Sequence, residues 1–336
     1  MPTIKDVARI AGVSATTVSL IINGKSKERR ISEETAERVF SVMKELGYHP
    51  NMSARRLRSD DPIRATVAFY WPSDYRYNIL GSFMHHFTDA AGRLDFNCDV
   101  VVRPYENNAI EKAASDITKN TYNGVIVGAS SKEDMEYLEQ LETRTPIVLL
   151  NRYSEKLSSI MSDNDAIGML AASLMRKKGY TEAAVFTSRR PYMATGLRVK
   201  AFMNACARLG INVDASWIFR DDNTIEGGVR TADEFCKLKG SPSVIFCDSD
   251  LMALGAMYTF NKRGVRLPQD TELIAIQLLD DDYTKYSVPS ITTIPMPNGV
   301  MAEKSLMMIK QFIDNPLLPP QHELLKPEIV IRESFR

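Results

Sequence analysis

Short polar side chains gather in the first 23 residues, and arginines gather some thirty residues further on. Thr3, Ser14, Thr16, Thr17, Ser19 and Asn23 carry hydroxyl or amide groups on stems short enough to bring a helix close to base edges or phosphates. Lys25, Lys27, Arg29 and Arg30 make a basic loop, and Arg55, Arg56 and Arg58 follow Pro50; both stretches suit phosphate oxygens. Residues 1–58 hold 11 Lys/Arg against 6 Asp/Glu, whereas the remainder holds 31 against 36. A basic head on a mildly acidic body suits a chain that docks one end on a polyanion.

The body offers little to a catalyst. Only four histidines are present, and Cys98, Cys206, Cys236 and Cys247 are scattered with no Cys-x-x-Cys pair. They read as reduced thiols of a cytoplasmic protein, with no metal site. No Gly-x-Gly-x-x-Gly follows the first strand and no phosphate-binding Gly-x-x-x-x-Gly-Lys-Ser/Thr occurs, so nucleotide cofactors lack support. Asp280, Asp281 and Asp282 form an acidic run that reads as a solvated loop. No cofactor and no enzymatic activity are expected. No stretch approaches the roughly 18 apolar residues of a membrane span, and the N-terminus lacks a signal pattern.

The head must position the polar groups. Thr3 is placed to cap a first helix, with Asp6 in a capping-box position and Ile4, Val7, Ala8 and Ala11 as its apolar stripe. Gly12 permits a sharp turn, Val13 plugs the corner, and Ser14 caps a second helix that buries Val18, Ile21 and Ile22. Ala15, Thr16, Thr17, Ser19, Leu20 and Asn23 then form the outer face of that helix. Ser32 starts a third helix, with Val39, Phe40, Met43 and Leu46 as its buried stripe and Gly47 as its end. The segment 50–58 is a short helix, marginal alone and expected to order only against DNA or a second copy.

From Arg64 strands and helices alternate. Apolar runs at 65–71, 97–102, 124–128 and 146–150 read as strands, with helices at 78–92, 109–120 and 132–141 between them. A second series has strands near 183–187, 243–247 and 272–277, and helices ending at 178 and over 196–209, 226–238 and 250–263. Continuous apolar strands between amphipathic helices imply parallel sheets covered on both faces. The fold expected for 336 residues is therefore multi-domain: an all-α helix-turn-helix head and an α/β core of two Rossmann-like lobes.

The segment from Ile4 to Arg58 resembles the DNA-binding head of the lac/gal/purine repressor family. The resemblance rests on Ile4-Lys5-Asp6-Val7-Ala8, Ala11-Gly12-Val13-Ser14, Thr17-Val18-Ser19, Ile22-Asn23, Leu46-Gly47-Tyr48-His49-Pro50-Asn51 and Ala54-Arg55-Arg56-Leu57. It implies a homodimer on a pseudo-palindromic double-stranded operator, with the second helix of each head in a major groove. It also implies paired hinge segments in the central minor groove, where Leu57 wedges into a base step beside Arg58. The DNA-contacting set is then Thr3, Ser14, Ala15, Thr16, Thr17, Ser19, Leu20, Asn23, Tyr48, Asn51, Ala54, Leu57 and Arg58. Leu20 stands where polar or basic residues are frequent in the family, and a leucine reads a thymine methyl rather than a hydrogen-bonding edge.

Residues 65–332 resemble the family's effector-binding core, which shares its fold with sugar-binding periplasmic proteins of type I. The supporting motifs are Asn151-Arg152, Asp163-Asn164, Arg198 in Leu197-Arg198-Val199-Lys200, Ser249-Asp250-Leu251-Met252, Gly264-Val265-Arg266-Leu267-Pro268 and Pro289-Ser290-Ile291-Thr292-Thr293. The resemblance implies a head (1–49), a hinge and linker (50–61) and a core (62–336). Its N-terminal lobe would span about 62–161 and 292–320, and its C-terminal lobe about 162–291 and 321–336, with chain passages near 162, 291 and 321. A small, sugar-like effector would sit between the lobes on Arg198, whose planar fork suits paired hydroxyls or a carboxylate. Asp250, Tyr75, Asn151, Tyr192 and Gln277 complete the expected lining, although Asp250 also fits a helix N-terminal acid. Gln277 stands where a carboxylate is frequent in sugar-responsive members. That keeps open a rival in which a protein partner docked on the core supplies the signal. No leucine-heptad tail follows, so a coiled-coil tetramer is not expected.

Overall fold

Side-chain caps set the limits of the head helices in the computed structural model, which describes residues 3–22, 26, 29, 31–46, 64–74, 77–189 and 193–336. Thr3 N–H donates to the Asp6 carboxylate at 2.9 Å and Thr3 Oγ1 accepts from Asp6 N–H at 3.4 Å, starting α1 (Ile4–Ala11). Gly12, at φ 66°, closes that helix, and Ser14 Oγ accepts from Thr17 N–H at 3.0 Å to open α2 (Ala15–Ile22). The third helix, α3 (Glu33–Leu46), completes a core of Val7, Ala8, Ala11, Val18, Ile21, Val39 and Val42. Phe40 departs from the expected stripe and is 51% exposed. The inward positions follow Val39, Val42, Met43 and Leu46, and Phe40 falls one residue off that helical spacing.

The first lobe comprises β1 (Ala65–Pro72), α4 (Tyr77–Arg93), β2 (Cys98–Tyr105), α5 (Ser115–Thr118), β3 (Gly124–Gly128), α6 (Lys132–Gln140), β4 (Ile147–Leu150) and β5 (Ser158–Ser162). The long helix expected over 109–120 is instead a 3-10 turn, Ile110–Lys112, followed by the short α5. The buried Asp134 carboxylate takes the N–H groups of Asn108 and Ile110, at 3.3 and 3.0 Å, and competes with helical bonding there. The second lobe comprises α7 (Asn164–Lys177), β6 (Ala184–Ser188), α8 (Met193–Arg208), β7 (Ile218–Asp221), α9 (Ile225–Phe235), β8 (Val244–Cys247), α10 (Asp250–Arg263), β9 (Glu272–Gln277), α11 (Asp282–Lys285) and β10 (Thr292–Pro295). Then α12 (Asn298–Asp314) and β11 (His322–Leu325) follow.

Two parallel sheets result, ordered β11–β5–β4–β3–β1–β2 and β10–β9–β8–β6–β7. Each is apolar on both faces. Val67, Phe69 and Trp71 of β1 pack with Phe83 and Phe87 of α4 and Met301 of α12, whereas Ala68 and Tyr70 face Ile110 and Ile117. The sheets also fix where the chain passes between lobes. The first passage follows Ser162, whose strand belongs to the first sheet. The second lies after Pro295 rather than at 291, because β10 pairs with β9 in register Thr292 with Ile274. The third follows Leu325 rather than 321, because β11 pairs with β5 in the first lobe; Phe335 returns to the second lobe's core. The lobe boundaries expected at 291/292 and 320/321 therefore each move about four residues downstream, to where the strand hydrogen bonds end.

Candidate nucleic-acid interface and interlobe cleft

On the head, Ser14 and Thr16 are exposed, and Thr17, Ser19 and Leu20 are half-buried. The Ser14 and Thr17 hydroxyls lie 2.8 Å apart, so the start of α2 presents a fixed pair of oxygens. Ala15 packs partly against the head core, which sets the depth of that helix end. No acidic residue occurs on α2, and its N-terminal dipole favours phosphate. Thr3 is committed to its capping box with Asp6, and its side chain is exposed beside it. Asn23, Tyr48, Asn51, Ala54, Leu57 and Arg58 lie outside the described residues, as do Tyr75 and Tyr192 from the expected cleft.

The cleft follows from sheet topology. Parallel strands place their carboxyl ends together, and loops leaving those ends form a crevice. Trp71 ends β1, Ala129 follows β3, and Asn151 and Arg152 follow β4. From the second lobe come Thr195 and Arg198 on α8, Asn223 after β7 and Leu278 after β9; Met296 and Asn298 occupy the second passage. These residues, with Ile79, Phe83, Leu150 and Ala194, enclose a cavity of about 80 Å³.

Its first-lobe wall is aromatic: Trp71 and Phe83 lie 5.5 Å apart at 50°, and Phe69 supports Trp71 at 5.3 Å. Gly128 admits the indole, since a Cβ there would stand 2.5 Å from the ring. Ala129 and Asn151 both hold positive φ, 57° and 55°, a conformation rare for residues with a side chain. The Asn151 amide oxygen accepts from Ser162 N–H at 3.0 Å, and its Nδ2 lies 3.6 Å from Met301 Sδ. Arg152 donates to the carbonyls of Ser130, at 2.5 Å, and Asn151, at 2.7 Å, tying the two loops together.

Arg198 dominates the opposite wall. It is 5% exposed, and its Nε and Nη1 have no hydrogen-bond acceptor. Burial pulls the guanidinium down to about 10, and the nearby Asp248 carboxylate opposes that shift. Asp248 is itself pushed up to about 6 by burial, against the lowering effect of its Thr187 and Ser188 contacts and of Arg198. One Asp248 oxygen accepts from Thr187 Oγ1 at 2.5 Å and Ser188 N–H at 2.9 Å; the other has no partner. Asn223 accepts a hydrogen bond from the Ser249 hydroxyl through Oδ1.

The cavity thus brings Asn151 and Arg198 together but not Asp250 or Gln277. The Asp250 carboxylate is buried against main chain, accepting from Leu251, Leu278 and Leu279 N–H at 3.0, 3.0 and 2.9 Å. It anchors the loop that presents Leu278 and has no oxygen turned to the cavity. Burial holds it up at about 6. Gln277 accepts from Thr293 Oγ1 at 2.7 Å and donates to Leu279 O at 3.4 Å, cross-linking β9 to β10. Sequence reasoning did not single out Trp71, Thr195, Asn223, Leu278, Met296 or Asn298 for the cleft. The end of the β1 apolar run was the available signal for Trp71, and Arg152 adjoined Asn151 in a motif. Asn298 and Met296 gave none. No helix of the described residues is long and apolar enough to cross a membrane, and none of their His, Cys, Asp and Glu groups is arranged to hold a metal.

Comparison with known proteins finds matches in both the head and the core. Residues 3–51 match the model of bacterial regulatory proteins of the lacI family, and residues 172–335 match that of periplasmic binding protein-like domains. The chain is 29% identical over 351 residues to the HTH-type transcriptional repressor PurR of Photobacterium profundum, covering 100% of this chain and 99% of that one. A crystal structure of a LacI family transcription regulator from Clostridium acetobutylicum superposes with a TM-score of 0.77 at 32% identity, over 80% of this chain and 100% of that one. The transcriptional regulator CelR in complex with cellobiose gives a TM-score of 0.69 at 23% identity, over 99% and 100%.

Proposed function

The chain belongs to the LacI family of bacterial regulatory proteins, and from that premise we propose that a small molecule between its lobes sets how tightly its head holds an operator. It is a DNA-binding transcriptional regulator with an effector-binding core, and its relatives are repressors rather than enzymes. The observation that carries the reading is Arg198: a buried guanidinium with unmet N–H donors on the wall of an interlobe cavity. Such a group is costly unless something completes it, and a ligand is the partner the cavity admits. A sugar-like effector fits the aromatic wall of Trp71 and Phe83, and the related CelR binds cellobiose.

A ligand touching Trp71 and Asn151 on one side and Arg198 and Asn223 on the other favours one lobe arrangement over another. The three passages between lobes give that rearrangement its hinges, and the linker before Arg64 hands it to the head. Two heads are needed for a palindromic site. An apolar surface on the second lobe, with Tyr258 60%, Tyr283 59%, Tyr286 68% and Val288 85% exposed, supports pairing with a second copy.

The test is thermal shift against sugars, sugar phosphates, nucleosides and purines, with Arg198→Ala as control, followed by operator affinity with each hit. Ligand binding to the native state raises the melting point by mass action. A hit lost in Arg198→Ala that also changes operator affinity supports the reading. A full panel without a hit moves the weight to a protein partner docking on the core.

A further inference from the structure

The cleft reading leaves the ligand's charge open, and the hydrogen-bond inventory of the cavity speaks to it. Among the described residues no Asp or Glu lines the cavity. Its polar lining is Asn151, Arg152, Thr195, Arg198, Asn223 and Asn298. Two of its amide oxygens already accept a hydrogen bond each from the protein. Asn151 Oδ1 takes the Ser162 N–H, an obligate donor, and its Nδ2 donates to Met301 Sδ at 3.6 Å, which leaves one N–H of the amide for the cavity. Asn223 Oδ1 takes the Ser249 hydroxyl, which itself accepts from Met252 N–H at 3.3 Å, leaving the NH2 group. Arg198 adds only donors, two of its nitrogens without an acceptor.

We infer that the effector is an organic anion, a carboxylate or a phosphate monoester, whose acidic oxygens sit on Arg198 and whose body lies against Trp71 and Phe83. The inference rests on the cleft reading. A neutral polyol brings one hydroxyl proton for each oxygen, and the lining side chains offer those protons only amide and hydroxyl oxygens, with no carboxylate among them. An anionic oxygen needs only donors, and it neutralises the buried guanidinium as well as bonding it. Asp248 does not fill that role: no ion pair joins it to Arg198, and one of its oxygens serves Thr187 and Ser188. The apolar residues Ile79, Leu278 and Met296 exclude water around the pair, which strengthens it.

The chain has two tryptophans, and Trp71 is the one on the cavity, so in a Trp217→Phe background its fluorescence reports occupancy directly. The probes are matched sets: glucose, glucuronate and glucose 6-phosphate; ribose and ribose 5-phosphate; cellobiose and cellobionate; adenosine and adenosine monophosphate. The expected result is that an acidic member binds at least tenfold more tightly than its neutral partner. Arg198→Met should weaken it roughly 100-fold, the worth of a charge-assisted pair. Arg198→Lys, which keeps the charge and loses the fork, should fall between the two. Preference for carboxylate over phosphate members, or the reverse, assigns the acid. A neutral probe that binds as tightly as its acidic partner overturns the inference and leaves the cleft reading standing. Silence from every probe, with operator affinity unchanged by all of them, overturns both.

Discussion

Removing Arg198 should make the ligand-free protein more stable. A buried, unsatisfied donor costs about 1–3 kcal/mol and more when charged, and Arg198 has two such nitrogens. Replacing it by Met, close in volume and free of polar atoms, removes roughly 2–6 kcal/mol of desolvation cost. Against this stands the lost attraction to Asp248. No ion pair joins the two groups, so at an effective dielectric near 20 that attraction stays below the roughly 4 kcal/mol of a pair at 4 Å, at about 3 kcal/mol. The single variant should therefore gain only about 1 kcal/mol. Adding Asp248→Asn removes the stranded carboxylate while keeping an oxygen for Thr187 and Ser188, so the double variant should gain about 3 kcal/mol. For a lobe of this size a kilocalorie is worth roughly 2–4 °C, so the melting points should rise by about 3 °C and 9 °C. Calorimetry and urea titration of the ligand-free proteins at pH 7.5 measure both. A double variant less stable than wild type by 1 kcal/mol or more would refute the reasoning, because the protein itself would then be satisfying Arg198.

The stability difference between wild type and Asp248→Asn should move in favour of wild type by about 1.4 kcal/mol between pH 7.5 and pH 5. Asp248 titrates near 6 folded and near 3.8 unfolded, so its contribution to stability is full below the lower value and lost as pH rises through the upper one; denaturant curves at the two pH values check it. Gly128→Ala puts a methyl 2.5 Å from the Trp71 ring, so it should cost about 1–3 kcal/mol, shift Trp71 emission and weaken cleft ligands at least tenfold. Leu57→Ala should weaken operator binding more than tenfold and reduce DNA bending with the core's melting point unchanged, as read by gel shift and circular-permutation bending. Unchanged affinity and bending would remove the wedge role from Leu57.

The head was legible because its signals are local. Thr3 with Asp6, Gly12 and Ser14 each act on main chain within a few residues, and the structure shows those bonds. Strands buried on both faces, such as Val244–Cys247 and Gly124–Gly128, were equally plain as unbroken apolar runs. The edge strands β7, β10 and β11, and β5 beside β11, were not. Ser158–Ser162, Ile218–Asp221 and His322–Leu325 are short and mix polar with apolar residues, and their polarity is met by partners distant in sequence. Ser159 Oγ lies 2.9 Å from His322 Nδ1, and Ser158 Oγ accepts from Gln321 N–H at 3.0 Å. No local pattern announces a strand whose neighbour is 163 residues away. The shifted passages follow from the same cause, since β10 and β11 are two of these edge strands.

The cleft was the least legible part, and the errors there share a physical origin. Asp250 and Gln277 looked like ligand groups because a sequence shows a polar side chain without its partners. Tertiary structure supplied those partners: three main-chain N–H groups for Asp250 and Thr293 for Gln277. Arg198 is the converse, a charged side chain for which folding supplied burial but no acceptor. The useful distinction is therefore between polar groups the fold completes and those it leaves incomplete, and only the second kind carries free energy that a ligand can release. Here the incomplete group lies on one lobe while the aromatic wall lies on the other. A ligand can satisfy Arg198 and cover Trp71 together only when the lobes close to a particular distance, so the unmet donors of one side chain become a bias on the arrangement of the whole core.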